Sequence, residues 1–122
     1  MIQALKNKVR KLKVINYREV KAMKAEEGAQ DVKLRWLITK DDGAENFAMR
    51  LFEVESKGYT PFHSHEWEHE VFILEGKGKI KIEDKEREFG KGDVIFIPGN
   101  VKHQFKNTEE KRVKFLCLIP YL

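Results

Sequence analysis

The feature that most constrains the fold is the alternation of short apolar segments with turns that contain glycine or proline. From residue 32 onward, segments rich in β-branched and aromatic residues recur at a spacing of about ten residues. Apolar and charged residues alternate over 79–83, and no helical period is sustained over a long window. The pattern predicts an all-β antiparallel sandwich or barrel. The expected strands cover 32–39, 47–54, 70–74, 79–82, 94–97, 103–105 and 113–119.

The length of 122 residues indicates one domain, because a chain of this size buries roughly two-thirds of its unfolded surface in a single core. Residues 1–30 are polar and rich in lysine, and the strand pattern begins after them. We therefore expect an N-terminal arm over residues 1–30, with a short strand and one helical turn around 17–25. A single barrel domain is expected over 31–122.

Charge and composition argue against several partners. The chain has 24 lysine and arginine residues against 20 aspartate and glutamate residues, and the two signs are interleaved. We therefore expect no nucleic-acid partner, although one basic cluster is present (Lys6, Lys8, Arg10, Lys11 and Lys13). Apolar runs of five residues or fewer predict no membrane span and no signal peptide, hence a cytoplasmic location. One cysteine excludes an intramolecular disulfide, and abundant lysine and glutamate are typical of a thermophile.

The spacing of the four histidines predicts metal coordination. His63 and His65 are two residues apart, so on a strand both imidazoles leave the same face. His69 follows a segment short enough to turn back, whereas His103 lies far along the chain and needs a tertiary contact. A His-x-His pair alone is weak evidence, but three histidines within seven residues are a stronger indication of a metal site.

Two segments resemble the motifs of the cupin family. Residues 58–76 (GYTPFHSHEWEHEVFILEG) are similar to the first motif, and residues 92–107 (GDVIFIPGNVKHQFKN) are similar to the second. The resemblance implies a double-stranded β-helix, also called a jelly-roll barrel, with a metal inside it. Two departures stand out. Four rather than five residues separate Gly58 from His63, and Asn100 stands where the family usually has glycine.

The third ligand stays open between two neighbouring residues. The family usually has glutamate there; the spacing to Gly76 favours His69, while the spacing from His65 also allows Glu70. Adjacent strand residues point to opposite faces, so only one of the two should reach the metal. With His69 the site would be four neutral imidazoles. We expect one divalent transition metal per subunit, with Mn or Fe favoured and Zn, Ni or Cu as alternatives.

Four further residues are candidates for the pocket. Phe105 should share the face of His103, and Phe115 and Cys117 should point inward from the last strand. Cys117 is interpreted as a pocket thiol or, alternatively, as a small buried apolar residue. Arg50 interrupts an apolar strand, so it either pairs with an anionic substrate group or lies on the exposed face.

The resemblance and the predicted site favour a metal-dependent enzyme of oxygenase or dioxygenase type, acting on a small hydrophobic or chelating organic molecule. A metal-dependent isomerase or decarboxylase is an alternative, as is a non-enzymatic module that binds a small molecule or a metal. We also expect a homodimer, because a barrel has edge strands to protect and the arm carries apolar residues without an evident place inside it. These are Val14, Ile15, Tyr17 and Val20.

Overall fold

The structure is a computed structural model and describes residues 12–121. Within this range the chain forms antiparallel strands and two 3-10 turns, Tyr17–Glu19 and Lys40–Asp42. The strands are β1 (Met23–Lys24), β2 (Gln30–Ile38), β3 (Phe47–Tyr59), β4 (His69–Glu75), β5 (Lys77–Ile82), β6 (Lys85–Gly90), β7 (Val94–Ile97), β8 (His103–Lys106) and β9 (Val113–Pro120).

The strands form one curled sheet in the order β6-β5-β8-β3-β9-β4-β7, with β2 also paired to β3 and β1 to β2. The long strand β3 pairs with β2 and β9 and ends against β8, so it links the two halves of the barrel. The predicted all-β jelly-roll architecture is confirmed.

The core follows from the alternation of side chains along each strand. On β9, Val113, Phe115 and Cys117 are buried, and the residues between them are only partly covered. Phe115 stacks on Phe105 with ring centroids 4.4 Å apart and on Phe52 at 5.0 Å. These rings fill the barrel directly beneath the histidines.

Two strands differ from the sequence expectation. β3 continues to Tyr59 instead of ending at residue 54, and it passes so close to the Gln30 carbonyl that Gly58 has no room for a side chain. β6 (Lys85–Gly90) is not among the strands expected from the sequence. It is an edge strand with four exposed residues at its start, so it carries no alternating apolar signal.

The arm is more closely attached to the barrel than the sequence suggested. The expected helical turn around 17–25 is a single 3-10 turn at Tyr17–Glu19, and β1 pairs with β2. Arg35 holds this segment by donating to the backbone oxygens of Tyr17 (3.2 Å) and Val20 (2.7 Å). Lys6, Lys8, Arg10 and Lys11 lie outside the described residues. The boundary at residue 30 and the homodimer stay predictions.

Residues 12–121 contain no helix that is long and apolar enough to cross a membrane.

Candidate metal centre

Backbone pairing brings the two histidine segments together. His63 and His103 form an antiparallel bridge, in which each N–H donates to the other residue's carbonyl oxygen, at 3.1 and 2.9 Å. The N–H of Asn100 donates to the His65 carbonyl oxygen. Asn100 has a φ of 63°, so this turn keeps its left-handed residue although asparagine replaces glycine.

Three of the histidines lie close enough together to form a candidate metal ligand set. The coordinating nitrogens of His63, His65 and His103 lie within 4.8 Å of one another. Two nitrogens bound tetrahedrally to one zinc ion would be about 3.4 Å apart, so the rings would have to move inward to bind one ion together. The His69 ring is not one of these three but lies next to them, with its centroid 5.0 Å from that of His103 and 5.3 Å from that of His65.

His69 and Glu70 occupy opposite faces of β4. His69 is 5% exposed, and its Nε2 atom is buried without a hydrogen-bond partner among residues 12–121. Glu70 is exposed on the outer face and pairs with Phe96 and Leu118. The structure therefore brings His69 to the histidine cluster and leaves Glu70 outside it.

Polar groups lie beside the Nδ1 atoms of two imidazoles. His103 Nδ1 donates to the Val101 carbonyl oxygen at 2.9 Å, which leaves Nε2 free to face the cluster. His63 Nδ1 lies 3.7 Å from Glu26 Oε1. Metal-binding histidines commonly have such partners, since these fix the ring and its tautomer.

The other two imidazoles contact a ring and a sulfur atom. Trp67 stacks on His65 with centroids 4.4 Å apart and planes 6° from parallel. Trp67 is half-buried there and covers one face of the His65 ring. His69 Nδ1 lies 3.2 Å from Cys117 Sγ.

Burial favours the neutral form of three of the histidines, His65, His69 and His103. Burial lowers the pKa of His65 to about 4 and that of His69 to about 3, and the positive charges of neighbouring histidines and Arg50 act in the same direction. Burial also lowers the pKa of His103. Because a metal binds the neutral imidazole, the cluster is prepared for coordination at neutral pH. Burial raises the pKa of the Cys117 thiol.

All four pocket candidates line one cavity with the histidines. Arg50, Phe105, Phe115 and Cys117 surround a volume of about 40 Å³. Arg50 points into the barrel rather than lying on its exposed face, and its guanidinium lies 4.9 Å from the centre of the Phe52 ring.

Sequence reasoning missed four other lining residues, Glu26, Phe52, Thr60 and Pro61. Phe52 could have been found, because it is two residues from Arg50 on the same strand. No sequence pattern marked Glu26, because it lies on the N-terminal arm and reaches the cavity only through the tertiary fold.

A family comparison agrees with this architecture. The sequence profile described as "Cupin domain" matches residues 50–119, which is more than half of the chain. The chain is a cupin. The matched range includes all four histidines and both segments that resemble the family's motifs.

Known proteins similar to this cupin have different activities. The structure of the polyketide cyclase RemF from Streptomyces resistomycificus matches with a TM-score of 0.85 and 38% identity, over 90% of this chain and 80% of that one. Acireductone dioxygenase of Heterostelium pallidum is 38% identical over 81 residues, 62% of this chain and 52% of the relative.

A third relative is 1-methylthio-D-xylulose 5-phosphate methylsulfurylase of Rhodospirillum rubrum, which is 31% identical over 71 residues, 58% of this chain and 46% of the relative. The chain spans about half the length of the curated relatives it matches.

Proposed function

We propose that this cupin is a divalent-metal-dependent enzyme whose metal is held by His63, His65, His69 and His103. The observation that carries the proposal is the convergence of four imidazoles on one small cavity. The buried, unpartnered Nε2 of His69 supports a ligand role, because buried polar atoms are nearly always satisfied. The lowered histidine pKa values support it too.

The expected cofactor is one divalent transition ion per subunit, with Mn or Fe favoured and Zn, Ni or Cu also suited to imidazole. When bound, such an ion would act as a Lewis acid toward a substrate oxygen. The proposed ligand set contains no carboxylate to offset the ion's charge, and Arg50 adds a positive charge beside it. The site therefore favours an anionic oxygen group such as an enolate.

The size of the cavity limits what can enter. Its volume of about 40 Å³ is far below the roughly 300–1,000 Å³ of pockets that enclose drug-sized ligands. A polar head group fits, while the rest of the substrate stays at the mouth beside Pro61. The Phe52, Phe105 and Phe115 rings make the wall apolar. We propose a small enolisable carbonyl compound with an apolar body.

The reaction we favour is redox-neutral enolate chemistry, such as cyclisation or isomerisation. RemF, a polyketide cyclase, supports it through 38% identity over most of both chains. A polyketide carries carbonyl groups on alternate carbons, and loss of a proton from the carbon between them yields an enolate. Within the described part of the chain, Glu26 is the one carboxylate that lines the cavity, so it is the candidate to accept that proton.

The test measures metal content and enolisation together. The chain, purified without a histidine tag, is analysed for bound metal and then incubated with a β-diketone in D₂O under nitrogen. We expect stoichiometric metal and metal-dependent exchange of the carbon-bound protons, followed by NMR. His65→Ala should lose both, Glu26→Gln should slow the exchange, and Glu70→Ala should behave as the wild type. Bound metal without exchange above the buffer rate would contradict the proposed chemistry.

A dioxygenase is the second candidate, and the similarity to acireductone dioxygenase supports it. The same incubation in air, with an oxygen electrode and catechol, flavonol and β-diketone substrates, separates the two. Consumption of one O₂ per substrate would favour the dioxygenase, whereas exchange without O₂ uptake would favour the redox-neutral reaction. Tight metal and diketone binding without either would favour a non-enzymatic module.

A further inference from the structure

We infer that Cys117 is a positioning residue for His69: its sulfur accepts a hydrogen bond from His69 Nδ1–H and so fixes the tautomer that turns a free Nε2 toward the metal. The inference deepens the proposed metal site and rests on it. It gives a role to the single cysteine of the chain, which is 3% exposed and lies beside Nδ1 of the imidazole.

Three side chains that line the cavity, Arg50, His69 and Cys117, meet at one point. Cys117 Sγ lies 3.2 Å from His69 Nδ1 and accepts a hydrogen bond from Arg50 Nη2 at 3.0 Å. Arg50 Nη2 also lies 3.3 Å from His69 Nδ1. Arg50 and Cys117 are direct partners in the β3–β9 register, so the backbone holds this group together.

The donor inventory decides between the two tautomers of His69. A guanidinium only donates and a thiol S–H also can, so a hydrogen bond to Nδ1 from either Arg50 or Cys117 would require the ring proton to sit on Nε2. That N–H would then be buried without an acceptor among residues 12–121, and it could not bind a metal. A proton on Nδ1 can instead be donated to Cys117 Sγ, which leaves the Nε2 lone pair facing the cluster.

The sulfur thus takes the place that a carboxylate or a backbone carbonyl usually takes behind a metal-binding histidine. His103 shows the usual arrangement in the same site, with Nδ1 donating to the Val101 carbonyl oxygen at 2.9 Å. Without the Cys117 sulfur, Arg50 would be the nearest partner of His69 Nδ1, and the tautomer would reverse.

The first arm of the test needs no metal. In chelator-treated protein labelled with ¹⁵N-histidine, two-dimensional ¹H–¹⁵N NMR of the ring assigns the tautomer of His69. We expect the Nδ1–H form in the wild type and the Nε2–H form in Cys117→Ala. Cys117→Ser keeps an oxygen acceptor and should retain the Nδ1–H form. A wild type with the proton on Nε2, or an unchanged tautomer in Cys117→Ala, would overturn the inference.

The second arm measures zinc affinity by competition with a chromophoric chelator. Cys117→Ala should bind zinc about 10–100-fold more weakly, the usual effect of losing an outer partner, and Cys117→Ser should restore most of the affinity. Val113→Ala is the matched control, because it truncates a buried residue of the same strand that pairs with Val54 instead of Arg50. If Val113→Ala weakened zinc binding as much as Cys117→Ala, the effect of Cys117 would be one of packing alone, which would overturn the inference.

The two arms separate this inference from the proposed function. If the wild type binds no zinc, Mn or Fe, the metal-site proposal fails while the NMR arm still decides the tautomer. If the wild type binds metal and the tautomer is insensitive to Cys117, the inference fails alone.

Discussion

His63 and His103 exchange two backbone hydrogen bonds across the mouth of the barrel, at 3.1 and 2.9 Å. The bridge joins the loop before β4 to the first residue of β8, so the two histidine segments meet through main-chain atoms. The backbone pairing therefore fixes the relative position of the two segments that carry the histidines.

The first prediction concerns the ligands. His65→Ala and His69→Ala should each weaken zinc binding by at least about 100-fold, more than the loss of an outer partner costs. The folded structure should remain, because the backbone bridge does not involve these side chains. Zinc affinity is measured by chelator competition and folding by circular dichroism.

Glu70→Ala is the control for the ligand prediction, since this neighbour is exposed on the opposite face of β4. Its zinc affinity should equal that of the wild type. A loss of zinc in Glu70→Ala but not in His69→Ala would assign the third ligand to the glutamate.

Much of this site could be predicted because its signals are local. A two-residue spacing places His63 and His65 together, and the inward face of the last strand follows from its alternation. The choice between His69 and Glu70 depended on strand register, which the spacing to Gly76 indicated. In the structure Gly76 directly follows β4, with a φ of 90° and beside the Arg112 carbonyl oxygen.

The rest depends on tertiary contacts that leave no local pattern. Glu26 reaches His63 from the arm, and nothing in its neighbours marks it as part of a site. β6 is a charged edge strand that is recognisable only from its pairing with β5. The contact between Arg50 and Cys117 requires the β3–β9 register, which no single segment specifies.

The second prediction concerns Gly99, which passes directly beneath the Glu66 carbonyl oxygen. A Cβ atom at Gly99 would overlap that oxygen, so Gly99→Ala must move the turn that carries the hydrogen bond from Asn100 to His65. We expect a loss of about 1–3 kcal/mol in the free energy of unfolding, measured by urea denaturation.

Gly90→Ala is the matched control for Gly99→Ala. The nearest atom to its added Cβ is Lys77 Cγ at an ordinary contact distance of 3.9 Å. This variant should change stability by no more than about 0.5 kcal/mol. Equal losses in the two variants would mean that the close approach of Gly99 has no energetic consequence.

The third prediction assigns Asn107, the last residue of the second motif, to structure rather than to the site. Its side chain is 2% exposed, donates to the Val54 and Lys111 carbonyl oxygens at 2.9 and 2.8 Å, and accepts from the Glu109 N–H at 2.9 Å. Asn107→Ala leaves the Val54 oxygen buried without this donor and should cost about 2–3 kcal/mol in urea denaturation.

Zinc affinity of the folded Asn107→Ala protein should stay within about twofold of the wild type, because the residue does not line the cavity. Thr108→Ala, at the exposed next position, is the control for stability. A stable Asn107→Ala variant with weakened zinc binding would refute the structural assignment.

The fourth prediction concerns the homodimer. Val14 is 81% exposed on the arm, and Phe96 is 58% exposed on the edge strand β7. Gel filtration with light scattering at micromolar concentration should give twice the mass of the chain, and Val14→Asp should shift the mass toward the monomer. Phe96→Asp tests the exposed face of β7 and should also shift the mass toward the monomer. A monomeric wild type would disprove the dimer.

The fifth prediction is the acid sensitivity of the metal-free protein. A histidine of the unfolded chain titrates near pH 6.5, whereas in the fold the pKa of His65 is about 4 and that of His69 about 3. Between these values the unfolded chain binds protons that the folded chain does not. The free energy of unfolding should therefore fall as the pH decreases from about 6.5, and this loss should level off below the folded values.

Urea denaturation of chelator-treated protein at about pH 7 and about pH 5 measures this loss. Both pH values lie above the range in which most carboxylates titrate. His69→Asn, which keeps a polar side chain but cannot take up the proton, should show a smaller loss than the wild type over the same interval. Equal losses would mean that His69 does not resist protonation in the fold. Added zinc should offset the wild-type loss, because the metal binds the neutral rings of the folded state.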